Sequence, residues 1–167
     1  RALVRSRGLG DVYKRQEYAS LNHLPLLRRA RNLRLQILDN TGYVSMLRVN
    51  HLTPPFNNPG IRRALWGAID QQACMHALVG PSEPSLYHLP LGFFAPKTPM
   101  ASEAGLDVLR GPRDMAAVNR ALRAAGYNGE TVLLMIPTNS SALNLQGEVM
   151  ADTLKRAGMN VEAVSYT

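Results

Sequence analysis

Apolar positions recur along the chain with periods that change, and each change marks an element. Asn58 and Pro59 supply a side-chain acceptor at a cap and a preset φ at the first helical position, so a helix starts there. Ile61, Ala64, Leu65, Ala68 and Ile69 follow at i, i+3, i+4, i+7 and i+8, a single stripe for a core, with Arg62, Arg63, Trp66 and Asp70 off it. Asp70 is placed to cap a second helix, which Gly80 and Pro81 stop. Pro112 opens another helix with Met115, Val118, Leu122 and Ala125 as its buried stripe, and Gly126 ends it. Residues 131–136 read as a buried strand. Asn139 or Ser140 caps the next helix, whose apolar face is Leu143, Val149, Met150, Leu154 and Ala157. Gly147 weakens that helix by roughly 1 kcal/mol relative to Ala. Gly158 closes it, and residues 161–164 begin another strand. Strand, helix and strand in close succession make a βαβ unit, with parallel strands and a right-handed crossover.

The first half is less regular. Residues 23–30 read as a short helix with Leu24, Leu26 and Leu27 apolar. Leu33, Leu35 and Ile37 alternate with Arg34 and Gln36, residues 40–42 form a turn, and residues 43–49 are a second strand. Residues 33–49 are therefore expected to be a hairpin or closely paired strands. Residues 81–112 are irregular and hold Pro81, Pro84, Pro90, Pro96, Pro99 and Pro112, the pattern of a functional loop or a connector between lobes.

The formal charge is +7, with 19 Lys and Arg against 12 acids. Residues 1–16 carry five basic residues against one acid, residues 17–36 four against one, and residues 37–167 ten of each. The body is neutral, so the basicity does not form the broad cationic surface that nucleic acid requires. The single cysteine, Cys74, has no partner for an internal disulfide; among Ala73, Ala77 and Leu78 it reads as a small buried thiol. No apolar run is long enough to cross a membrane. His23, His51, His76 and His88 lack metal-ligand spacing, there is no phosphate-binding glycine loop, and neither Ser140-Ser141 nor Cys74 has a nucleophile motif around it. Glu148 and Asp152, four apart, read as a solvated helix face. No catalytic residue, metal site or cofactor is expected.

The stretch from Asn50 to Asp70 resembles the dipeptide and oligopeptide type of extracellular solute-binding protein, family 5, the receptor of ABC importers. An N-x-x-x-P-P-F turn leads there into a V-R-x-A-x-x-x-A-I-D helix, matched here by Asn50, Pro54, Pro55, Phe56, Ile61, Arg62, Ala64, Ala68, Ile69 and Asp70. The ending RALRAAGY, residues 120–127, is similar to the family's L-x-x-A-G-Y, and the loop of residues 90–105 resembles a Pro/Gly-rich loop of one subgroup. The resemblance implies an α/β fold: part of the second lobe of a two-lobed periplasmic-binding-protein fold, with a mixed sheet and a C-terminal βαβ unit. Residues 17–167 would be a partial lobe, about a third of such a protein. Residues 1–16 lack periodicity and resemble the translation of a sequencing adapter, so they are expected to be a non-native or disordered tail. Any signal peptide would then be missing through truncation.

The same resemblance implies a monomeric, non-enzymatic receptor, periplasmic or anchored as a lipoprotein, which captures a peptide or other small solute and delivers it to permease subunits in the membrane. Peptides, opines, glutathione, nickel complexes and sugars are all solutes of such proteins. An acidic residue that anchors a peptide's amino terminus would lie beyond the position of Thr167. Candidate ligand contacts within the chain are Asn50, His51, Trp66, Phe93 and Phe94. Asn50 and His51 sit where a strand leaves the sheet, as cleft residues or as a hydrogen-bonded turn. Trp66 faces a cleft or packs under a loop, and Phe93 and Phe94 line a pocket or anchor their own loop. The rival readings are a small α/β enzyme or regulatory domain and a DNA-binding helix-turn-helix at residues 58–79. The neutral body and the match through AAGY and the βαβ unit argue against both.

Overall fold

The structure, a computed structural model, describes residues 21–81 and 83–166. The tail of residues 1–16 lies outside them. The chain divides into two compact units, residues 1–38 and residues 39–167. The described part of the first holds a short 3-10 turn at Leu21–His23 and helix α1, Leu24–Arg29, as the local pattern requires.

The second unit holds the rest. Helix α2, Pro59–Leu65, begins as expected: the Asn58 side chain accepts from the Gly60 N–H at 2.8 Å, and Pro59 occupies the first turn. It ends four residues before the apolar stripe does. Ala68 is fully buried in the turn beyond it, and Ile69 is only half-buried. Helix α3, Gln71–Val79, is capped by Asp70, whose carboxylate accepts from the Ala73 N–H at 3.0 Å, and it stops at Gly80 with φ +82°. Helix α4, Met115–Ala124, starts later than Pro112 suggests. Asp114 is the cap, accepting from the Ala117 N–H at 2.9 Å. The reason is Arg113, whose guanidinium binds the carbonyls of Val108, Arg110 and Gly111 and holds the preceding loop outside the helix.

Strand β1 (Thr131–Pro137), helix α5 (Ser141–Arg156) and strand β2 (Asn160–Tyr166) form the βαβ unit, and the strands are parallel with Thr131 opposite Asn160 and Pro137 opposite Tyr166. Ser140 caps α5 at 3.4 Å from the Leu143 N–H. Val132, Ile136 and Val161 are buried, while Leu133, Met135, Val164 and Tyr166 on the opposite face are exposed. Gly147 sits where α5 crosses β1: a β-carbon there would come within 2.7 Å of Ile136 Cγ2. The glycine thus weakens the helix in isolation and permits its approach to the sheet.

The core joins α2, α4 and the βαβ unit through Phe56, Ile61, Leu65, Ala68, Val118, Leu122, Tyr127, Val132, Leu154, Ala157, Met159 and Val161. Leu122 and Leu154 are its largest fully buried side chains, each contributing about 1.5–3 kcal/mol of apolar burial. Tyr127 explains the AAGY ending physically. Its ring is in the core, its hydroxyl donates to the Glu130 carbonyl at 2.8 Å, and it accepts from the Asn160 N–H at 2.8 Å, tying together the starts of both strands.

The expected hairpin of residues 33–49 is not formed. Residues 33–38 and 43–49 are in no strand, and Leu35, Ile37, Tyr43 and Met46 are exposed. An isolated two-stranded ribbon is marginal without an apolar face to pack on. The sheet among the described residues is the parallel pair alone. The described part of residues 81–112 is irregular as expected, apart from 3-10 turns at Pro84–Leu86 and Leu106–Leu109.

Candidate functional site

The start of α3 forms one wall of an open cleft of about 540 Å³, lined by Asp70, Gln71, Gln72, Leu89, Pro90, Leu109, Arg110, Gly111, Pro112 and Arg113. That volume is in the range of small-molecule sites. Two side chains fix its walls. Gln71 donates its amide to the Leu91 carbonyl at 2.8 Å and accepts from the Leu91 N–H at 2.8 Å, a reciprocal pair that pins the Pro-rich loop to α3. Arg113 donates to the carbonyls of Ile69 at 3.3 Å, Val108 at 3.0 Å, Arg110 at 2.7 Å and Gly111 at 2.8 Å, which ties the later loop to the turn before α3. Arg110 pairs with Glu103 at 3.1 Å and reaches Asp107 at 4.0 Å. The charged and amide groups of the cleft are largely committed to the chain itself. The cleft is a hydrogen-bonded junction of loops more than a ready set of free polar partners.

Sequence reasoning did not find Gln71 or Arg113 as wall-setting residues. The contacts that reach across the cleft, Gln71 to Leu91 and Arg113 to Ile69, span 20 and 44 residues, and no local pattern signals such pairs.

None of the five residues singled out from sequence lines this cleft. Asn50 forms a local turn, its side chain accepting from the Leu52 N–H at 3.0 Å, and His51 beside it is exposed. Trp66 follows the end of α2 and is 48% exposed. Phe93 and Phe94 meet edge to face, ring centres 5.0 Å apart, with Phe93 72% and Phe94 40% exposed. The two phenylalanines pack on each other and keep apolar surface open to solvent.

Burial first, and the nearby Asp70 carboxylate second, push the Cys74 thiol above its ordinary pKa, which disfavours the reactive thiolate. Among the described residues no three His, Cys, Asp or Glu side chains cluster to hold a metal ion, and no helix is long and apolar enough to cross a membrane.

The unit thus combines a βαβ element with a capped helix pair and exposed aromatic side chains. Comparison with known proteins gives the family: residues 7–167 match the model of bacterial extracellular solute-binding proteins, family 5 Middle, and the chain belongs to that family. The match starts inside the segment expected to be a foreign tail. The chain is also similar to a probable peptide ABC transporter periplasmic-binding protein of Sinorhizobium fredii, 27% identical over 139 residues, which are 83% of this chain and 26% of that relative. It therefore spans about a quarter of the relative's length.

Proposed function

We propose that the chain is part of the substrate-binding component of an ABC importer, a binding protein with no enzymatic activity. It captures peptides or similar small solutes and passes them to permease subunits in the membrane. The observation that carries this reading is the family match over nearly the whole chain, and the relative's name supports peptides as the solute class and the periplasm as the compartment. The neutral charge of residues 37–167 supports a receptor without a nucleic-acid partner. Binding is reversible and needs no covalent step: a solute is enclosed between two lobes, which excludes water and supplies polar partners to its backbone and termini. In this reading the receptor is a monomer, held in the periplasm or anchored there by a lipid. Trp66, Phe93 and Phe94 supply rigid apolar contact area, and Asn50 and His51 stand near the entry to the helix pair.

Calorimetric titration of a receptor of the relative's length carrying these residues, against a mixed di- to pentapeptide library, tests the reading. Saturable binding of peptides is the expected result. Turnover of a peptide or other small substrate without release would point to the enzyme class instead.

A further inference from the structure

Residues 92–107 leave the cleft wall at the start of α3 and return to it. At one end the Gln71 side chain holds the Leu91 backbone, donating to its carbonyl and accepting from its N–H, both at 2.8 Å. At the other end Arg113 donates to the carbonyls of Val108, Arg110 and Gly111 and to that of Ile69, two residues before Gln71. Between these fastenings the chain is bonded to itself. The Thr98 N–H donates to the Ala95 carbonyl, the Ala101 N–H to the Thr98 carbonyl and the Leu106 N–H to the Glu103 carbonyl. Gly92 packs against the buried Leu106: a β-carbon there would stand 3.5 Å from Leu106 Cδ2 and 3.2 Å from the Ser102 carbonyl oxygen. The segment is a self-packed strap with both ends held at the same turn.

The two fastenings differ in kind. Arg113 is a cation that only donates, through charge-assisted bonds to four carbonyls. Gln71 is neutral and engages the N–H and the carbonyl of one residue, a donor and acceptor pair that every non-proline residue of a peptide carries. We propose that Gln71 is a contact for a peptide backbone whose place is held by Leu91, and that an extended peptide exchanges with Leu91 and releases that end of the strap. This rests on the solute-binding reading above. The exchange conserves both hydrogen bonds of Gln71, so its half-buried amide is never left unpaired, and the freed Leu91 backbone turns to water. The cleft of about 540 Å³ beside Gln71 offers Leu89, Pro90, Leu109 and Pro112 as apolar surface for the side chains of the incoming peptide.

The test uses a receptor of the relative's length, the di- to pentapeptide mixture as probe, calorimetry for affinity and hydrogen exchange resolved to single amides. Peptide should speed exchange of the Leu91 N–H, which Gln71 protects, and leave Thr98, Ala101 and Leu106 at their own rates, because their bonds lie inside the strap. Gln71→Leu removes donor and acceptor at similar size. In that variant the Leu91 N–H should exchange fast before peptide is added, and peptide affinity should fall by about tenfold with the loss of two hydrogen bonds. A receptor that binds peptide with Leu91 exchange unchanged or slowed, or a Gln71→Leu variant of unaltered affinity, would overturn the inference alone. So would equal acceleration at Leu91, Thr98, Ala101 and Leu106, which would mean general loosening of the loop. An unsubstituted receptor that binds no peptide would overturn the functional reading and the inference with it.

Discussion

A β-carbon at Gly158 would collide with the side-chain amide of Asn119, and the backbone there holds φ at +91°. Gly126 has a similar φ of +94° with open space around it. Alanine at Gly126 therefore probes conformation alone, and alanine at Gly158 probes conformation plus crowding. Gly126→Ala should cost about 1–2 kcal/mol for the left-handed backbone. Gly158→Ala should cost more, since Asn119 must also give up its hydrogen bond to the Ala157 carbonyl at 3.1 Å, about 1 kcal/mol. Urea denaturation of both variants is the measurement, and equal losses would show that Asn119 moves aside freely. Cys74 gives a pH-dependent counterpart. Its raised pKa means that the unfolded chain releases the thiol proton first, so the contribution to stability is full below the ordinary value of 9.0 and is lost as pH rises through the folded value. Alkylation by iodoacetamide at about pH 8.5 should be slower in the folded chain than in urea, because only the thiolate reacts. Equal rates would mean that the thiol is free.

Helices were readable where a cap bonds the backbone beside it, and misread where a neighbouring side chain competes for that backbone. Asn58 and Asp70 cap α2 and α3 through the backbone beside them, so the sequence shows both starts. Pro112 carries an equally good local signal, yet Arg113 holds the loop back through carbonyls at 108–111 and the start passes to Asp114. Residues 33–49 alternate correctly for strands, but a strand also needs a neighbour and a buried face, neither of which alternation supplies. The cleft was invisible for the same reason, its walls being set by pairs far apart in sequence. Of the apolar stripe on α2, Ile61 and Leu65 are buried and Arg63 is exposed. Leu65→Ala should cost about 2–5 kcal/mol as a cavity in the core, and Arg63→Ala should stay within about 0.5 kcal/mol. Chemical denaturation showing comparable losses would contradict that division. Gly147→Ala sets two magnitudes against each other. Helix propensity favours alanine by about 1 kcal/mol, whereas forcing a methyl against the buried Ile136 costs about 1–3 kcal/mol. The second should win, and a stabilised variant would mean that α5 stands further from β1.

At the scale of the molecule, affinity in a two-lobed receptor comes from enclosure. A solute loses its water only when both faces close on it, and each unpaired polar group left on its backbone forfeits part of the gain. The 139 residues of this chain that align with the relative cover 26% of its length and supply, in the functional reading, one face. The exposed apolar surface of Leu133, Met135 and Val164 on the sheet and of Phe93 and Phe94 on the loop shows how much of this unit lacks a covering layer in the described structure. The chain by itself should therefore bind di- to pentapeptides weakly or not at all, even though its family captures solutes. Calorimetric titration of the chain, run beside a receptor of the relative's length, measures this. Micromolar or tighter binding by the chain alone would place a complete site within these residues, and recognition would then have to be explained by one lobe without closure of a second.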